Sequence, residues 1–282
     1  MAGESSLSRI KARRAKAREN ARRRGIYVLP ALLTTASMFS GFYAIIASID
    51  LRFWEAAWAI VIAGIFDGLD GRVARMTNTT SEFGVQYDSL SDLISFGVAP
   101  AILAYNWSLF PYQRWGWVGA FLYVVCAAIR LGRFNIQQEE GEGKDYFMGL
   151  ASPAAAGLVI TPVLLHQQHL EFFDRFGING IEGTLRHPAY MVLVYVAGLL
   201  MVSEIPFKSP KEINFVDRSR FRVLVFFVLL LALLAIQPVW FFFGTIYLYV
   251  LGGLLMWMIS AGRRPDEDDD DLVGGDDLPE ME

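Results

Sequence analysis

The chain has 282 residues, 54% of them hydrophobic and 19% charged, with a mean hydropathy of +0.36 and a formal net charge of −4. Its charges crowd into the two ends and a few short stretches between long apolar runs, which is a membrane composition that leaves no separate soluble domain and no call for a nucleic-acid partner. The single cysteine, Cys126, lies inside an apolar run, so an internal disulfide is excluded and a packing role is expected.

Residues 1–26 are rich in Lys and Arg, and no signal-peptide pattern follows. They read as a basic cytoplasmic segment ahead of a transmembrane domain over 27–262, with an acidic, disordered cytoplasmic tail over 263–282. A hydrocarbon core of roughly 30 Å needs about 20 apolar residues per helix. On that measure eight spans are expected, Tyr27 to Ile49, Phe53 to Met76, Phe83 to Leu109, Trp115 to Asn135, Leu150 to His166, Ala189 to Val202, Phe221 to Ile236 and Val239 to Ile259. Lipid offers the backbone no hydrogen-bond partner and no alternating barrel strands are visible, so the fold class is all-α, a polytopic membrane helix bundle. Basic residues between Lys208 and Arg222, together with Lys144, Arg263 and Arg264, then fall on the side of both termini, which is cytoplasmic by the positive-inside rule. Tyr105, Trp107, Tyr112, Trp115 and Trp117 read as an interfacial aromatic belt at the opposite face.

The second and third spans carry Asp67, Asp70, Arg72, Arg75, Asp88 and Asp92, and ionisable groups in membrane helices are costly. Asp67, Asp70, Gly71 and Ala74 follow helical i, i+3, i+4, i+7 spacing, and Gly84, Asp88 and Asp92 follow i+4 steps. Folding the hairpin at Thr77 to Glu82 brings four carboxylates together beside the small residues Gly71, Ala74 and Gly84. Uncompensated, they would repel one another and lose hydration, so a cation is expected there. Oxygen-only ligands favour Mg²⁺ or Mn²⁺ first and Ca²⁺ second, and small neighbours suit a diphosphate. Two rival readings are weaker. Pairing of the acids with Arg72, Arg75, Arg130 and Arg133 as helix glue would not require this register, and against an ion or proton transporter the last three spans have no charged residue in their apolar interiors and no second copy of the acidic motif is visible.

These residues resemble the CDP-alcohol phosphotransferase family, whose signature DxxDGxxARx8GxxxDxxxD is matched at every interval by Asp67, Asp70, Gly71, Ala74, Arg75, Gly84, Asp88 and Asp92. The resemblance implies that Asp67, Asp70 and Asp88 hold divalent metal, and that Asp92 ligates metal and acts as general base on an acceptor hydroxyl. It implies that Gly71, Ala74, Arg75 and Gly84 line the CDP site. It also implies a membrane-embedded transferase of phospholipid synthesis, with CMP as leaving group and a homodimer as the assembly.

Flanking segments Ser95 to Pro100, Arg130 to Asn135 and Gly149 to Gly157 look like the phosphatidylserine synthases of the membrane-embedded type, with Ala151 where that subgroup has Pro. CDP-diacylglycerol and L-serine are the substrates this implies, among membrane lipids in a bacterial cytoplasmic membrane, with the active site facing inward. Arg130 and Arg133 are i, i+3 neighbours whose guanidinium forks suit a carboxylate, or else anchor the helix at the interface. Asn135, Ser91 and Ser95 are polar candidates for the acceptor, each also suited to helix packing. An acceptor already bearing phosphate, as in a phosphatidylglycerophosphate synthase, would instead draw on Lys144 and the Lys208 to Arg222 stretch.

Overall fold

A computed structural model describes residues 28–77, 81–139, 146–174, 183–185, 187–208 and 220–261. The basic segment 1–26, the acidic tail 263–282, the centre of the Thr77 to Glu82 turn and most of the Lys208 to Arg222 stretch lie outside the described residues.

All eight apolar runs are helical. Helix α1 (Val28–Ile49) turns through Asp50, Leu51 and Arg52 into α2 (Phe53–Thr77). Leu51 takes φ 61° there, and Arg52 clamps the turn by ion pairs of 3.1 Å to Asp50 and 2.8 Å to Glu55. Helix α3 (Glu82–Asp92) starts at Ser81, whose hydroxyl caps it by accepting from the Gly84 N–H at 3.0 Å. The rod continues through a π-turn (Leu93–Val98), α4 (Ala99–Ala104) and a second π-turn (Tyr105–Leu109), then reverses at Gln113, φ 47°. After it come α5 (Gln113–Glu139), α6 (Ser152–Gln168), the short α7 (Leu170–Asp174), α8 (Pro188–Val202), α9 (Arg220–Ile236) and α10 (Pro238–Ala261). Among the described residues three helical stretches, Val28–Ile49, Glu82–Gln137 and Pro238–Ile259, are long and apolar enough to cross a membrane.

Three local features depart from the sequence expectation. The third run is not a plain α-helix, because Pro100 has no N–H for the Phe96 carbonyl and its ring crowds that turn. The helix widens into the π-turn, and the buried Tyr123 hydroxyl on α5 donates to the Phe96 carbonyl at 3.1 Å. Trp107 is not part of an interfacial belt. It is fully buried, donates to the Gly183 carbonyl at 3.1 Å and meets Tyr190 edge-on at 4.7 Å, whereas Trp115 and Trp117 are exposed. Nor is the bundle wholly helical: β1 (Tyr146–Met148) pairs antiparallel with β2 (Pro206–Lys208). Because α5 packs along α8, the strands that follow these helices come side by side, and pairing satisfies their backbone groups. Gly149, at φ 83°, turns the chain out of β1 and donates to Ile205 at 3.0 Å.

Small residues set the spacing inside the bundle. Ala44 and Ala47 on α1, Ala56, Ala57 and Ala63 on α2, and Ala99 and Ala104 on the third rod are buried, which lets these three helices approach closely. Buried hydroxyls fasten them, with Ser37 donating to the Ala63 carbonyl at 3.0 Å and Ser95 to the Ser37 carbonyl at 3.1 Å. Outward-facing Leu229, Ile236 and Leu248 expose apolar surface suited to lipid.

Candidate active site

The α2–α3 hairpin brings the two acidic sets together. Asp67, Asp70 and Asp88 each present a carboxylate oxygen within 4.8 Å of the others, Asp70 being buried. Asp92, one turn beyond Asp88 and on the wall of the same cavity, adds a fourth carboxyl whose charge interacts with those of Asp67 and Asp88. One buried oxygen of Asp88 and one of Asp92 have no hydrogen-bond partner, which a buried carboxylate tolerates poorly. Among the described residues no guanidinium stands within ion-pair distance of these carboxylates, and only the charge of Arg130 acts on them, through Asp92, so the helix-glue reading has no direct contact to support it. An all-oxygen set with orphaned buried lone pairs fits a hard divalent cation.

A cavity of about 600 Å³ opens beside these acids between α1, α2, α3 and α5. Asp70, Asp88 and Asp92 stand on its wall, with Gly71, Ala74, Arg75 and Gly84 beside them; Asp67 belongs to the carboxylate group but not to the wall. A Cβ built on Gly71 would meet no atom within 4 Å, so the missing side chain leaves space to the cavity. Leu131 and Phe134 on α5 and Phe83 and Tyr87 on α3 supply apolar wall, the last two with rings stacked at 5.8 Å. The cavity therefore joins a polar, acid-lined floor to a surface that can accept a lipid or a base.

The acceptor candidates divide. Asn135 lies on the wall and bonds Ser89. Arg130 is half-buried just outside it. Its Nη1 donates to Ser152 at 2.9 Å, its Nε has no partner, and its charge interacts with that of Asp92. Arg133 is turned toward α8, where it donates to the Val202 carbonyl at 3.4 Å. Ser91 and Ser95 do not reach the cavity; both are buried and donate at 3.1 Å to the carbonyls of Thr34 and Ser37 on α1. Thr34, Tyr87 and Ser89, which line the cavity, were not singled out from sequence. The adjacent hydroxyls of Thr34 and Thr35 inside an apolar run were the available signal, but such groups often only bond their own helix.

The family profile described as CDP-alcohol phosphatidyltransferase matches residues 27–203. A Helicobacter pylori protein named CDP-diacylglycerol–serine O-phosphatidyltransferase is 36% identical over 233 residues, covering 83% of this chain and 92% of its own. Proteins of the same name from Mycobacterium tuberculosis, 34% identical over 202 residues, and Saccharomyces cerevisiae, 34% identical over 196, cover 68% and 64% of this chain and 65% and 69% of their own lengths. With an acid-lined cavity inside the matched region and a profile that spans more than half of its length, the chain belongs to the CDP-alcohol phosphatidyltransferase family.

Proposed function

We propose that this enzyme transfers the phosphatidyl group of CDP-diacylglycerol to the hydroxyl of L-serine, giving phosphatidylserine and CMP. The carrying observation is the carboxylate cluster that opens on the cavity with no ion pair to a guanidinium among the described residues, and the names of the relatives support serine as acceptor.

Asp67, Asp70 and Asp88, with Asp92, would hold Mg²⁺ or Mn²⁺, which when bound offsets charge on the diphosphate oxygens. Gly71, Ala74 and Gly84 keep the wall low so that CDP can approach the backbone, and Arg75 adds positive charge beside the diphosphate. Asp92, with its unpartnered buried oxygen, takes the proton of the serine hydroxyl. The serine oxygen bonds to the phosphorus that carries diacylglycerol, the bond from that phosphorus to the CMP oxygen breaks, and CMP leaves with the electron pair. Asn135 on the wall and Arg130 beside Asp92 are the groups proposed to orient the serine carboxylate; Arg133, Ser91 and Ser95 contribute through the helix packing that holds them. The reading places residues 27–262 as eight membrane spans in a bacterial cytoplasmic membrane, with cytoplasmic segments 1–26 and 263–282 and a homodimer as the assembly.

Purified protein supplied with CDP-diacylglycerol and Mn²⁺ should release CMP when serine is added. CMP release with glycerol phosphate or inositol phosphate, and none with serine, would reject the serine assignment while leaving the transfer chemistry intact.

A further inference from the structure

Thr34 lies on α1, outside the acidic hairpin, is 5% exposed and stands on the cavity wall. Its hydroxyl oxygen is 2.8 Å from Asp70 Oδ2 and 3.1 Å from the Pro30 carbonyl of its own helix. A hydroxyl has one proton, and the carboxylate is both the nearer and the stronger acceptor. Thr34 is itself fixed, because Ser91 on α3 donates to its carbonyl at 3.1 Å. At this one residue α1 is thus tied to both helices that carry the acids.

We infer that Thr34 is a positioning residue for Asp70: its hydroxyl occupies Oδ2 and leaves the second carboxylate oxygen to the cation. The inference rests on the reading of the aspartates as a cation site. A ligand carboxylate that rotates freely must be ordered when the ion binds, and groups that orient such ligands typically change metal affinity about 10- to 100-fold when lost. The common alternative for a helical threonine is a bond to its own i−4 carbonyl with no effect on a ligand. Neighbouring Thr35 shows that bond, donating to Ala31 at 2.7 Å.

The test is Mn²⁺ binding to the full chain in detergent micelles without nucleotide, followed by the electron paramagnetic resonance of free Mn²⁺. Thr34→Val, which keeps shape and removes the hydroxyl, should weaken Mn²⁺ binding about 10-fold or more, and Thr34→Ser should restore it to within about threefold. In an Asp70→Asn background, Thr34→Val should add no further loss, because the two act through one carboxylate. If the valine variant does not fold, Thr34→Ala removes the same hydroxyl without overpacking and is judged by the same affinity. Native affinity in the hydroxyl-free variant, or a serine variant as weak as it, overturns the inference. An unsubstituted protein that binds no Mn²⁺ overturns the cation reading itself, a result distinct from either.

Discussion

Ser89 on α3 and Asn135 on α5 meet across the cavity wall, with the Ser89 hydroxyl 3.1 Å from the amide oxygen and 3.0 Å from the amide nitrogen of Asn135. The amide nitrogen is also 3.5 Å from the Gln86 side-chain oxygen, so Asn135 is held at a defined orientation against Ser89, the residue that follows Asp88. If it orients the acceptor, Asn135→Ala should raise KM for serine about 10- to 150-fold, since a hydrogen bond to a charged group contributes roughly 1.5–3 kcal/mol. KM for CDP-diacylglycerol should change less than about twofold. Equal changes in both constants would instead assign Asn135 to holding α3 against α5.

Asp92 and Asp88 are separable by experiment although both are clustered acids. Asp92→Asn keeps the shape but removes the proposed base along with one proposed cation ligand, so turnover should stay about 10² to 10⁴ lower even at saturating Mn²⁺ while the CDP-lipid still binds. Asp88→Asn removes a proposed cation ligand, and should shift the Mn²⁺ concentration needed for activity upward as well as lower the rate. Turnover within about threefold of native for Asp92→Asn, with deamidation ruled out by mass, would remove Asp92 from the proton transfer.

The helices and the acidic cluster were legible in sequence because both depend on short-range periodicity: apolar runs of membrane length, and i+3 and i+4 steps from Asp67 and from Gly84. Which polar groups reach the cavity was not legible, because that depends on the approach of helices distant in sequence. Ser91 and Asp88 are three residues apart on α3, yet Ser91 turns to the Thr34 carbonyl and Asp88 to the cavity, a division decided by where α1 lies. Trp107 was misread for a similar reason. Its position near a span end suggests an interface, but packing by Tyr190 and His166 buries it completely. Pro100 did carry a sign of the irregular third helix, whereas the donor that completes that turn, Tyr123, comes from another element.

The contact between α1 and the third rod predicts a sharp steric response. A Cβ on Gly41 would stand 2.5 Å from Ser95 Oγ and 2.7 Å from Ser95 Cα, and the backbone atom cannot rotate away. Gly41→Ala should therefore destabilise the protein by about 1–3 kcal/mol, the usual cost of overpacking. At Gly244 on α10 a Cβ meets nothing within 4 Å, so Gly244→Ala should be neutral or slightly stabilising. Unfolding in detergent, followed for the two variants side by side, checks the contrast. Equal stability of both would mean that α1 sits farther from Ser95.

The sidedness of the site can be read by cysteine labelling in a Cys126→Ala background, a mild substitution at a buried sulfhydryl. Helix α2 spans 25 residues, and at 1.5 Å per residue it is about 37 Å long, more than the roughly 30 Å of hydrocarbon. Its ends therefore belong on opposite sides of the membrane if it crosses without lying in the interface. Ser81, which caps α3 at the mouth of the cavity, is exposed, and so is Asp50 in the turn before α2. Serine and CMP are water-soluble, and a proposed active site that opens to the cytoplasm would let both exchange without crossing lipid. Ser81→Cys should then resist a membrane-impermeant maleimide in intact cells and react in inverted vesicles, and Asp50→Cys should show the reverse. Reaction of both from the same side would require α2 to re-enter or lie along the membrane, whereas both patterns exchanged would keep the bundle but turn the active site outward.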